Sequence, residues 1–157
     1  TPPVCPRAAA RRAGAGRAAT AEICTGCLSA ATCTALAGSS DWFERGFVTY
    51  SNAAKSEQLD VDAALIAQHG AVSEAVVRAM AEGALARSAA DIVVAVTGIA
   101  GPAGGSADKP VGLVWLAMAQ RGMASQAERL QLAGDRAAVR EQTVLAALAR
   151  ALQLATA

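Results

Sequence analysis

The apolar positions of the chain fall into two periods. Ile92-Val93-Val94-Ala95-Val96 is an uninterrupted, β-branched-rich run, which predicts a central strand over residues 91–97 covered on both faces. Residues 111–119 read as a second buried strand, and residues 125–132 alternate in the manner of a third. Phe43, Phe47, Val48 and Tyr50 mark residues 42–50 as a strand rich in aromatic and β-branched side chains. A shorter strand is expected over residues 17–24.

Helical spacing takes over elsewhere. Val76, Val77, Met80, Ala84 and Leu85 share one face of a helix that Ser73 caps and that runs to about residue 88, with Glu74 in its first turn. Asp135 caps a last helix with Val139, Thr143, Ala146 and Leu148 facing inward and Leu152 close to that face. Residues 25–37 form an Ala-rich helix stopped by Gly38-Ser39-Ser40, and short helices are expected over 53–59 and 63–68. A Gly/Pro/Ser loop fills residues 98–110. This order of elements defines one three-layer α/β/α domain with a mixed central sheet. There is no internal repeat and no linker.

Composition narrows the partners. The 157 residues are 54% apolar, much of it alanine, enough for a packed core. Fourteen basic residues meet thirteen acidic ones, and only the first seventeen positions hold a basic excess, so nucleic acid is not expected as a partner. The most apolar stretch, residues 92–103, is broken by glycines and Pro102 and is too short to span a membrane. Residues 1–18, with Arg7, Arg11, Arg12 and Arg17, read as an Arg/Ala-rich arm or weak helix, with a transit peptide as the alternative; residues 19–157 form the α/β domain.

The chemistry concentrates where the first strand turns into the first helix, at Thr20-Ala21-Glu22-Ile23-Cys24-Thr25-Gly26-Cys27. A helix start offers unpaired N–H groups and a positive dipole end, so this corner is expected to hold a ligand. Cys24 and Cys27 have the spacing of a dithiol redox pair, or of half a zinc site completed by Cys33 and His69; the plainer reading makes them small buried hydrophobes. The loop from Gly98 through Gly105 suits a phosphate but lacks the Lys-Ser/Thr of a nucleotide-binding P-loop, and a mobile turn between strands is the alternative. Lys55 near an apolar corner suits a base for a hydroxyl nucleophile, against the default of a solvated lysine. His69, before Gly70, is expected to satisfy helix-end carbonyls.

Together these segments resemble the CinA-type, nicotinamide-nucleotide amidase family, the C-terminal domain of competence/damage-inducible proteins. The resemblance is carried by Ala21-Glu22-x-Cys24-Thr25-Gly26, Gly38-Ser39-Ser40, the run from Phe43-Glu44-Arg45-Gly46 through Tyr50-Ser51-Asn52-Ala53-Ala54-Lys55, and Ala71-Val72-Ser73. It continues in Met80-Ala81-Glu82-Gly83-Ala84, Thr97-Gly98-Ile99-Ala100-Gly101-Pro102, Gly104-Gly105-Ser106 and Lys109-Pro110-Val111-Gly112. It implies hydrolysis of the carboxamide of nicotinamide mononucleotide, giving nicotinate mononucleotide and ammonia, in the bacterial cytoplasm. No metal or cofactor is implied, and the expected assembly is a homodimer or a higher homo-oligomer.

By the same resemblance the nucleophile is the serine of Ala-Glu-Ser-Cys-Thr-Gly-Gly, activated by groups matching Lys55 and Tyr50, with Thr25 beside them. Gly26, Arg45, Asn52, Thr97, Gly98, Ile99, Ala100, Gly101, Gly104 and Gly105 would bind the substrate. In this chain the serine position is Ile23 and the last glycine is Cys27. Isoleucine has no proton to transfer, so the covalent mechanism does not run unchanged; Cys24 is the nearest substitute, although neighbours in an extended segment point to opposite sides. Two further readings stand beside the amidase: a non-catalytic pyridine-nucleotide-binding module, and a dithiol protein using Cys24 and Cys27.

Overall fold

The structure, a computed structural model, describes residues 16–156. The expected arm up to Ala15, Cys5 included, lies outside the described residues. The elements run β1 (Ala18–Glu22), α1 (Leu28–Thr34), a 3₁₀ turn (Ser39–Asp41), β2 (Phe43–Val48), α2 (Asn52–Leu59), α3 (Ala63–His69), α4 (Glu74–Ala86), β3 (Ile92–Gly98), β4 (Leu113–Gln120), β5 (Gln126–Gln131) and α5 (Arg136–Thr156). The strands form one sheet in the order β2-β1-β3-β4-β5. β1 pairs parallel with both β2 and β3, whereas β3–β4 and β4–β5 are antiparallel. The sheet is mixed, with helices on both faces.

Alternation along the strands builds the two sides. Ala19, Ala21, Val93 and Ala95 pack against Val76, Val77, Met80 and Ala84 of α4, in a cluster that also takes in Leu59 of α2 and Ile66 of α3. Val94, Val96, Val114, Leu116 and Met118 face the other way, onto Val139 and Ala147 of α5. Small side chains on the first side let helices come close. A Cβ added to Gly83 on α4 would stand 1.9 Å from the Leu59 carbonyl oxygen, so α2 and α4 touch backbone to backbone there.

Local signals fix most boundaries. The Ser51, Asp62 and Ser73 side chains accept from the N–H groups of Ala54, Ala64 and Val76, starting α2, α3 and α4. Asp135 accepts from Ala138 N–H at 2.9 Å and starts α5. Two expectations are corrected. The first helix starts at Leu28 and ends at Thr34, because residues 23–27 form a turn with Gly26 at φ +63°, a left-handed value that breaks the helical path. On α5, Val144 and Ala147 are buried with Val139, Thr143 and Leu148, while Ala146 and Leu152 are half-buried. The inward face is broader than a single stripe because α5 closes both the sheet and the cluster around Cys33 and Trp42. Among the described residues no helix is long and apolar enough to cross a membrane.

Candidate functional site

The corner after β1 is built by a carboxylate. Glu22 is 1% exposed; its Oε1 accepts from Thr25 Oγ1 and Ser29 N–H, both at 2.7 Å, and its Oε2 from Ala30 N–H at 3.1 Å and Thr20 Oγ1 at 3.3 Å. The start of α1, expected to receive a ligand, is therefore filled by the chain's own acid. From α5, Arg140 closes the turn, donating through Nε to the Cys24 carbonyl at 3.2 Å and through Nη2 to the Thr25 carbonyl at 3.1 Å.

Lys55 lies on the opposite side of this strand end. It is 1% exposed, and its Nζ donates to the carbonyls of Ser51 at 3.2 Å and Tyr50 at 3.5 Å. No carboxylate pairs with it among the described residues. Burial without a counter-charge pushes its pKa below the ordinary 10.5, which raises the share of neutral amine able to take a proton.

Two arginines line a cleft beside the Gly101 loop. An open cleft of about 670 Å³ is bounded by Ala100, Pro102, Val111, Asp135, Arg136 and Arg140, a size suited to a small-molecule ligand. Arg136 Nη1 donates to the Gly101 carbonyl at 2.9 Å and its Nη2 reaches the Tyr50 hydroxyl at 3.4 Å, bridging the Gly101 loop and the segment that holds Lys55. Tyr50 itself is 62% exposed. The loop is pinned by Ile99 N–H to the Leu113 carbonyl and by Gly112 N–H to the Ile99 carbonyl. Gly98 must be glycine: a Cβ there would meet Val114 Cγ2 at 2.8 Å, the Leu113 carbonyl oxygen at 3.0 Å and Cys24 Sγ at 3.2 Å. Thr97 is fully buried and donates to the Ala71 carbonyl at 2.9 Å, tying β3 to the connection before α4.

The sequence missed both arginines, although a signal for them was present. The first turn of α5 carries Arg136 and no acid after its Asp135 cap, and Arg140 follows one turn later. Cations at the positive end of a helix dipole are unfavourable unless something anionic faces them.

Several expected residues do not come to the corner. Arg45, in register with Ala19 well before the strand ends, pairs with Glu44 and donates to the Arg87 carbonyl. Asn52 opens α2 and lines a groove with Ala53, Ser56, Ala63, Ile66 and Ala67. Gly104 and Gly105 lie on the exposed part of the loop, whereas Ala100 and Gly101 are buried at its base. Ile23 is 9% exposed and belongs to the apolar core around Leu59 and Val76.

Of the cysteine readings, the small buried hydrophobe holds for Cys24, while Cys27 is exposed. Cys24 and Cys27 are unbridged, and burial pushes the Cys24 thiol up to about 11, the reverse of an early-ionising redox thiol. Cys24 faces α5 while Ile23 faces α4, so it does not replace a nucleophile at position 23. Among the described residues no three His, Cys, Asp or Glu side chains are grouped to hold a metal. His69 is exposed, and its carbonyl accepts from Lys109 Nζ, so a lysine caps this helix end.

A mixed-sheet α/β domain with a buried lysine at the strand ends and an arginine-lined cleft suits a small-molecule ligand, and the comparisons place it in a family. Residues 8–155 match the family model of the CinA C-terminal domain. The chain is 57% identical over 137 residues to a "Nicotinamide-nucleotide amidohydrolase PncC" of Pseudomonas putida, covering 87% of this chain and 85% of that protein. It is 54% identical over 129 residues to a protein of the same name from Escherichia coli K12, covering 82% and 78% of the two. The crystal structure of a competence/damage inducible protein CihA from Agrobacterium tumefaciens superposes with a TM-score of 0.90 at 43% identity, covering 97% of this chain and 96% of that one. The chain belongs to the CinA C-terminal domain family.

Proposed function

We propose that this chain is a nicotinamide-nucleotide amidohydrolase that cleaves the carboxamide of nicotinamide mononucleotide to nicotinate mononucleotide and ammonia. Lys55 carries the reading: a lysine buried without a counter-charge at the ends of β1 and β2 is costly to the fold and suited to proton transfer. The names of the relatives, at more than half identity over most of both chains, support the substrate. In this site Arg136 and Arg140 take the phosphate at the cleft, because a guanidinium presents paired donors to phosphate oxygens. Ala100 and Gly101 line the path inward, Thr25, Gly26, Thr97 and Gly98 hold the corner's shape, and Lys55 acts as the base.

Tyr50 closes the mouth through Arg136. The same proposal includes a cytoplasmic homo-oligomer, checked by light scattering of the purified chain. The decisive measurement is ammonia released from nicotinamide mononucleotide by the purified protein. Release that disappears in Lys55→Met is the expected result; no release above buffer overturns the reading.

A further inference from the structure

The amidohydrolase reading leaves a question of chemistry, since Ile23 gives the strand end no hydroxyl. Most hydroxyls nearby are committed. Thr20 and Thr25 donate to Glu22, and Thr97 donates to the Ala71 carbonyl. Ser51 Oγ caps α2 by accepting from Ala54 N–H, and the Tyr50 hydroxyl accepts from Arg136. Among the described residues, three buried polar side-chain atoms have no partner: Ser29 Oγ, Trp42 Nε1 and Thr49 Oγ1. The first two line a small apolar cavity on the α1/α5 side of the sheet, away from Lys55. Thr49 does not.

The strand register places Thr49. Ala21 stands beside Phe47 and Glu22 beside Val48, and the ladder continues with Thr49 N–H donating to the Glu22 carbonyl at 3.1 Å. The next neighbours are therefore Ile23 and Thr49. Ala21, Ile23 and Phe47 all belong to the cluster on the α4 side, so Thr49, two residues beyond Phe47, turns to that same side. The two residues that follow it, Tyr50 and Ser51, supply the carbonyls that hold Lys55 Nζ. An uncommitted hydroxyl thus comes one and two residues before the carbonyls that hold the buried amine, with no hydrogen bond between Lys55 Nζ and Thr49 Oγ1 in this structure. Leaving a hydroxyl unpaired in the interior costs about 1–3 kcal/mol, and of these three groups only Thr49 immediately precedes the residues that hold the buried amine.

We infer that Thr49 supplies the nucleophilic hydroxyl of this chain, with Lys55 as its base, a role that rests on the amidohydrolase reading above. Neutral Lys55 takes the Thr49 proton as Oγ1 bonds to the carboxamide carbon. The C–N bond then breaks, and ammonia leaves with the proton returned by Lys55. Water attacks the resulting threonyl ester, giving a proton to Lys55; the ester C–O bond breaks, and Oγ1 recovers its proton as the nicotinate product leaves. Thr49 is fully buried and Lys55 is 1% exposed, so substrate must displace what covers them. One side-chain bond, Arg136 to the Tyr50 hydroxyl, ties Tyr50 across the cleft.

Two measurements on the whole chain test this. A small sulfonyl fluoride, which an amine-activated hydroxyl attacks with loss of fluoride, is expected to modify Thr49, as mapped by peptide mass. Ammonia release from nicotinamide mononucleotide is expected to fall about a thousandfold or more in Thr49→Val and to stay within about tenfold of wild type in Thr49→Ser. Thermal melting of Thr49→Val at or above wild type shows that the loss is chemical, since valine keeps the shape and removes the unpaired hydroxyl. Release by Thr49→Val within about tenfold of wild type overturns the inference, as does an absent adduct or one on Ser51 or Tyr50 with Thr49 unmodified. A Thr49 adduct in a protein that releases no ammonia keeps the nucleophile and sinks the substrate instead.

Discussion

Glu22 and Lys55 are both charged, both 1% exposed, and held on opposite sides of the same strand end, yet the structure treats them in opposite ways. Each oxygen of Glu22 accepts two hydrogen bonds, two of the four from backbone N–H groups that α1 leaves unpaired at its start. Lys55 has three protons to donate and finds two neutral carbonyls, one of them at 3.5 Å. A satisfied buried charge acts as a fastener. An under-satisfied one destabilises the fold and persists where its chemistry is used. The two residues therefore predict opposite responses to neutral replacement.

The largest effect is expected at Lys55. Lys55→Met should lower kcat about 10³-fold by removing the base, while melting at the same temperature as wild type or higher, because an apolar chain of similar length relieves an unpaired buried charge. A variant that lost activity only because it unfolded would break the contrast. Glu22→Gln should do the reverse. Its amide NH₂ must face backbone or hydroxyl donors whichever way it turns, at a cost of roughly 2–4 kcal/mol, equivalent to a drop of about 5–15 °C in Tm. A drop under about 2 °C would mean that the carboxylate is not what organises the corner.

The contrast is legible with a pH meter. Burial lowers the Lys55 pKa, so between that depressed value and the ordinary 10.5 the unfolded chain binds the extra proton. Stability contributed at this position is therefore lowest below the folded pKa and rises with pH toward 10.5. Lys55→Met should remove that rise from a series of denaturant titrations, and kcat/KM of wild type should climb as pH approaches the depressed folded pKa and level off above it. A pH profile of stability identical in the two proteins would show that Lys55 titrates in the fold as it does in water.

Much of this contrast is hidden from the sequence, for identifiable reasons. The sheet, the α4 stripe and the capping residues were legible because hydrophobic period and cap chemistry act locally. The motif around Glu22 was legible as a corner, but its meaning was inverted: a helix start looks vacant until a side chain seven residues earlier is seen to fill it. Lys55 was recognised beside its strand, whereas its isolation from every carboxylate is a long-range property. Arg140 reaches the corner it closes from more than a hundred residues away, and Arg136 reaches the Tyr50 hydroxyl from 86. Arg45 misled because its neighbours resemble a site, while its register against Ala19 puts it halfway down the strand. Thr49 carries no local signal at all; only the absence of a partner inside the fold singles it out.

A smaller effect is expected where the comparison reaches the cleft. Arg136→Gln keeps a donor for the Gly101 carbonyl and loses the charge, so it should raise KM for nicotinamide mononucleotide roughly tenfold to a hundredfold with kcat within about threefold of wild type. Reversed, with kcat falling and KM unchanged, the result would place Arg136 in the chemistry and not at the phosphate.

The smallest effect separates two roles for Tyr50. Its hydroxyl belongs to a side chain that is 62% exposed and touches Arg136 at a long 3.4 Å, a bond worth little in water. Its backbone carbonyl, which helps to hold Lys55, is untouched by a side-chain change. Tyr50→Phe should accordingly leave Tm within about 1 °C and kcat/KM within about threefold of wild type, with any change in kcat upward, since the tie across the cleft is gone while the base stays in place. If the hydroxyl instead activates the nucleophile, as the family resemblance implies, kcat falls a hundredfold or so with KM little changed. The first outcome leaves Lys55 as the only proton carrier on its side of the strand. The second adds a partner to it and narrows the gap between Lys55 and the fully partnered Glu22.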